Sequence, residues 1–143
     1  MGPRLQNGGF LEYVERSHGA YLATAPTNLA GGAADMGHYH MPFDVLLSGW
    51  YIIVTTLLAM ETIQPVVSID VADYDGTTNR VEADEYEIPD LTAVGVTETR
   101  ILTAAVAVAR GRTIVLEHKT QGTGAAAAGA ACVFAIWRAT GDP

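Results

Sequence analysis

Hydrophobic positions along this chain fall into one long unbroken block and several alternating runs. From Val45 to Met60 no residue is charged and the apolar positions run nearly all round a helical wheel, as in a helix enclosed by other structure. Pro42 and Asp44 suit a helix start through fixed φ and the macrodipole, and Pro65 marks a stop. A buried helix is therefore predicted over Phe43 to Thr62, with Gly49 admitting a second backbone closely. Beyond it, Val67, Ile69 and Val71 alternate with Ser68, Asp70 and Ala72, which predicts a half-buried strand. Asp75-Gly76 supplies a turn. The acidic stretch Arg80 to Ile88 reads as an edge strand or a loop closed by Pro89. Val94 to Ala109, Thr113 to Thr120 and Ala130 to Trp137 read as three consecutive antiparallel strands, the first two joined through Arg110-Gly111-Arg112. Gly124 and Gly129 bracket the Ala tract and argue against a helix there. Upstream, Tyr21-Leu-Ala-Thr suits a first strand, and Ala25 to Pro42 has the Pro, Gly and Asn of a long loop. The expected fold class is α+β, a long helix wrapped by an antiparallel sheet.

Composition narrows the classes. A length of 143 residues supports one domain, residues 1–143, and 49% apolar with 17% charged residues is ordinary for a globular chain. The net charge of −8 leaves no basic stripe to neutralise phosphates, which argues against nucleic acid as a partner. Cys132 is the single cysteine, so no internal disulfide forms, and a small buried core residue is expected there. The N-terminal residues lack a secretory core, and the uncharged block is shorter than the roughly 20 residues that span a bilayer. A cytoplasmic protein without membrane contact is expected.

Three short segments carry a resemblance. Asp35-Met-Gly-His-Tyr-His, placed just before the expected helix, looks like the Asp-x-x-Gly-His-Val-Asn-Asn loop of 4-hydroxybenzoyl-CoA-like thioesterases, with Asp and Gly one residue closer here. Thr27-Asn-Leu-Ala-Gly31, with Glu12-Tyr13 upstream, is similar to the Thr-Asn-Leu-Val-Gly segment of enediyne polyketide thioesterases. Gly37-His38-Tyr39, Pro42 and Val45-Leu46 resemble the Gly-His-Phe-Pro to Pro-Gly-Val-Leu stretch of hotdog dehydratases. Together with the expected helix, the Arg-Gly-Arg turn and the closing Phe-Ala-Ile-Trp strand, these segments resemble the hotdog-fold acyl thioesterases. The resemblance implies a hotdog fold and hydrolysis of an acyl thioester on CoA or an acyl carrier protein by a homodimer or homotetramer, in polyketide or fatty-acid metabolism and with no cofactor. Two alternatives stay open: a non-catalytic small-molecule-binding or assembly module, and a hotdog dehydratase or polyketide cyclase.

Thioester hydrolysis needs a nucleophile or a base that activates water, and donors for the developing oxyanion. Asp35, His38 and His40 cluster in the loop before the expected helix, and the enediyne-like segment adds Asn28 as a candidate. Gly37 and the backbone around Phe43 and Asp44 would receive the carbonyl, and Arg110 and Arg112 would meet the phosphates of the carrier. His38-x-His40 with Asp35 also has the makings of a metal site, but His18 and His118 lie far off in sequence, so no metal is expected. Asp70 and Asp73 read as solvated charges.

Overall fold

Nine antiparallel strands make up two facing sheets in the computed structural model, which describes residues 22–140. They are β1 (Leu22–Ala23), β2 (Thr27–Asn28), β3 (Ala34–His40), β4 (Val45–Ala59), β5 (Val66–Ala72), β6 (Val81–Glu87), β7 (Thr97–Val108), β8 (Thr113–Thr120) and β9 (Ala128–Ala139). The longer sheet runs β1-β9-β4-β7, with β2 also paired to β9, and the other runs β3-β8-β5-β6. Only β5 and β6 are consecutive strands that pair with each other; from β3 onward every other connection crosses between the two sheets.

The expected α+β hotdog fold is overturned by β4. Val45 to Ala59 is a strand, paired to β7 on one side and β9 on the other, and the described residues contain no helix. Tyr51-Ile-Ile-Val-Thr-Thr is a run of aromatic and β-branched side chains that packs well on a pleated surface and loses χ1 freedom in a helix. Alternation survives underneath the continuous apolarity: Val45 and Leu47, then Trp50, Ile52 and Val54, are buried between the sheets, while Leu46, Tyr51 and Ile53 point outward. The phase change between Leu47 and Trp50 is a bulge, where β7 passes from Val106 to Ile101 while β4 advances only from Leu47 to Gly49.

Other expectations fare differently. Val66–Ala72 and Thr113–Thr120 are strands, the acidic stretch is the edge strand β6, and Gly76 and Gly111 lie in turns. The supposed loop Ala25 to Pro42 instead contains β2 and β3. The last three strands are not consecutive partners, because β7 and β9 belong to one sheet and β8 to the other. Of the first expected strand, Leu22–Ala23 is present as β1, and Tyr21, with Glu12, Tyr13 and His18, lies outside the described residues. Cys132 is half-buried on the outward side of β9 and not in the core.

Between the sheets, Trp50, Ile52 and Leu58 of β4 and Val133 and Ala135 of β9 meet Val67, Ile69, Ile114 and Leu116. Trp50 keeps its one polar atom satisfied by donating Nε1–H to Asp84 of β6, 2.8 Å away, and Arg100 of β7 closes the same carboxylate at 2.6 Å. Burial acts to raise the Asp84 pKa, but the bonds from Arg100 and Trp50 outweigh it and hold the carboxyl below its ordinary range. Among the described residues no helix is long and apolar enough to cross a membrane.

Candidate functional site

On the short sheet, residues of one parity line the core and those of the other face outward. Pairing sets Asp35 of β3 opposite Glu117 of β8, and Glu117 opposite Ser68 of β5, so one outward row crosses three strands. Asp70 lies one outward position further along β5 and His38 further along β3. The segment from Asp73 to Arg80, which links β5 to β6, folds back over this surface as a strap. Beneath it Asp70, Ala72, Thr113 and Val115 are buried although they point away from the core.

Arg80 fastens the strap. Its Nε donates to Asp70 at 2.6 Å and its Nη2 to Asp35 at 2.9 Å, with Glu117 also 2.8 Å from Nη2. One guanidinium thus serves three carboxylates, using its planar fork of donors. Glu117 also accepts the Ser68 hydroxyl. His38 Nε2 meets Asp35 Oδ2 at 2.6 Å. Partial burial raises the Asp35 pKa, yet the bonds from Arg80 and His38 prevail and keep it below the usual carboxylate value. Gly76 (φ +76°) presses on the other side of the imidazole, so a side chain there would collide with His38 as well as strain the backbone. Asp75 accepts the amides of Thr77 and Thr78 and the Thr78 hydroxyl, which hold its pKa down to about 2 and fix the strap's turn.

Further along, Tyr74 stacks on His40, ring centroids 4.4 Å apart and 18° from parallel. His40 Nδ1 lies 2.7 Å from the buried Thr113 hydroxyl, which itself donates to the Tyr74 carbonyl at 3.3 Å. Arg112 meets Asp73 at 3.5 Å and donates to the Asn79 carbonyl, and Asn79 donates to Asp73.

The structure therefore brings Asp35, Gly37, His38 and His40 onto one strand and joins Asp35 directly to His38. The other candidates stand apart. Asn28 is in the long sheet, where it caps its own turn by accepting the Ala30 amide and lines an open cavity of about 310 Å³ with Thr56 and Gly129. Phe43 packs tilted against Trp137. Asp44 begins no helix; it accepts the Arg110 amide and, with Arg112, borders a second cavity of about 280 Å³ beside Val45 and Val108. Arg110 is exposed on the turn. Sequence reasoning missed Arg80 and Glu117 and took Asp70 for a solvated charge. Only strand pairing sets Glu117 beside Asp35, and only the path of the strap returns Arg80 to both.

The long sheet's outward side is different in kind. Leu46, Tyr51 and Ile53 of β4 adjoin Cys132, Phe134 and Ile136 of β9, and Ile101 of β7 is 72% exposed beside them. Tyr51 and Phe134 stack at 4.5 Å with planes 2° apart. The charge on this surface is Arg138, near the end of β9.

No known family matches the chain, and no curated protein does. A solved structure titled "Crystal structure of PirA" is similar at 11% identity, over 78% of this chain and 92% of that one, with a TM-score of 0.44. So slight a likeness has no bearing on function.

Proposed function

We propose that this protein is a non-catalytic assembly module that associates with further copies of itself through the outward side of its long sheet. One observation carries the reading: the central stretches of β4 and β9 are apolar on both sides, with Tyr51, Ile53, Cys132, Phe134 and Ile136 outward, although only one side is covered by the facing sheet. Antiparallel sheets that face water alternate apolar with polar, whereas strands read as continuous apolar runs when both sides are buried. The strands β5, β6 and β8 of the short sheet do carry outward Ser68, Asp70, Glu82, Glu85, Glu117 and Lys119. An apolar, aromatic patch with its one named charge, Arg138, at the end is the signature of a contact surface.

Charge bears on where two copies can meet. Two chains of net charge −8 repel one another, and the long sheet's apolar side is a surface on which they meet without opposing carboxylates. The exposed edge of β7 is a poorer place to join, because the extra residues between Ile101 and Val106 distort the strand.

Acyl-thioester hydrolysis has less support. The helix start that would polarise the carbonyl is absent, Asn28 stands in the other sheet, and Asp35 is taken up by Arg80 and His38.

Sedimentation velocity tests the proposal. The full chain should sediment as a dimer or larger at micromolar concentration, and Phe134→Lys and Tyr51→Lys, both at half-buried outward positions, should yield folded monomers. A chain begun at Tyr21 should still associate. A monomeric full chain, or association unaltered by either lysine, would overturn the reading; loss of association in the shortened chain would assign the contact to the first twenty residues instead.

A further inference from the structure

The cavity of about 280 Å³ at one end of the molecule has opposite charges on its wall. It lies where β4 begins, β7 ends and β9 runs out, and Asp44 and Arg112 line it together with Val45, Ala107 and Val108. Among the described residues no ion pair joins Asp44 to Arg112, so a carboxylate and a guanidinium border one space without neutralising each other. The cavity of about 310 Å³ beside Asn28 and Thr56 has no charged residue on its wall.

Both charged groups keep bonding capacity. Asp44 accepts the Arg110 amide through Oδ1 at 2.8 Å, and its Oδ2 has no partner among the described residues. Arg112 donates from Nη2 to the Asn79 carbonyl at 3.2 Å, while its Nε, 3.5 Å from Asp73, makes no hydrogen bond. The N–H groups of Nη1 are left unspent. Backbone bonds hold the wall in place. The Thr140 amide donates to the Asp44 carbonyl and the Arg112 amide to the Ala109 carbonyl, each at 3.0 Å, and the Gly111 amide donates to the Met41 carbonyl at 2.8 Å. The site is thus preformed, and little ordering cost falls on binding.

We propose that this cavity binds a small aliphatic amino acid as its zwitterion, with the carboxylate on Arg112, the ammonium on Asp44 and the side chain against Val45, Ala107 and Val108. A guanidinium suits a carboxylate in both charge and shape, and an ammonium has only donors, which the free Asp44 oxygen can accept. A simple anion would meet Asp44, and a simple cation Arg112. A neutral apolar ligand would strip water from both charges and return nothing. Ligand pockets span roughly 300–1,000 Å³, so a cavity at the bottom of that range suits a molecule of few heavy atoms. Because no third charged residue lines it, the side chain it favours is apolar. This inference does not rest on self-association.

Titrating the 15N-labelled full chain with glycine, alanine and valine, each alone, tests it by amide shifts. At least one should shift Asp44, Val45, Val108 and Ala109 with a millimolar Kd. The N-acetyl derivative of that amino acid, which has no ammonium, and its amide, which has no carboxylate, should each bind about tenfold more weakly or worse. Asp44→Asn keeps an acceptor for the Arg110 amide and should weaken binding of the free amino acid by about tenfold, with amide shifts away from the cavity unchanged. Absence of shifts at these positions with all three amino acids overturns the proposal. So does an N-acetyl derivative that binds as tightly as the free amino acid, or binding that Asp44→Asn leaves unaltered.

Discussion

His118 shows what a single residue can set. It points into the space between the sheets, paired across β8 with Val67 and Ala34, and is fully buried. Burial depresses its pKa below the ordinary histidine value, against a weaker opposing pull from the backbone of Thr120 and Gly32 and from Glu117. The unfolded chain therefore binds a proton more readily than the folded one. Its stabilising contribution is complete above the unfolded value of about 6.5 and is lost as pH falls through the lower folded value. Thermal melts should show the wild type losing stability between neutral pH and about pH 5, and His118→Gln, whatever its starting stability, should show a smaller loss over that span. An equal pH slope in both proteins would remove His118 as the cause. Sequence position alone marked this residue only as distant from His38.

At the scale of the element, β4 organises the molecule and Gly49 sets its geometry. A Cβ on Gly49 would stand 2.5 Å from the Arg100 carbonyl oxygen, a backbone atom that cannot rotate away. The register shift opposite β7 and the change of phase from Leu47 to Trp50 both pass through this position. Gly49→Ala should therefore cost about 1–3 kcal/mol, the usual range for overpacking, measured by urea unfolding. A neutral substitution would mean that β7 yields freely at its bulge. The glycine was legible in the sequence as a place of close backbone approach, which holds, although the element around it is a strand and not a helix.

Across the whole molecule, polarity is divided between two outer surfaces. The short sheet carries the strap and the carboxylates, with Lys119 bonded to Glu82 and Glu85 across the strands. The long sheet carries stacked aromatics and aliphatics. Association through the latter should persist or strengthen when salt is raised from low to moderate concentration, since screening weakens repulsion between the acidic chains and removes no ion pair at the contact. Dissociation by salt, read in the same sedimentation experiment, would point to a charged interface.

Local chemistry determined by itself the strands β5 and β8 and the turns at Asp75-Gly76 and Arg110-Gly111-Arg112, and left β6 open between an edge strand and a loop. In β5 the outward and inward positions differ in polarity, so the period of two is visible, and the turn residues need no distant partner. The same reading brought Asp35 and His38 together as candidates because they are three residues apart. Only the tertiary structure decided that Val45 to Ala59 is a strand, since a segment apolar on both sides shows no period to read. It alone decided, too, that Arg80 closes over Asp35, Asp70 and Glu117, because strand pairing and the return of a strap join residues that the sequence holds up to 82 positions apart.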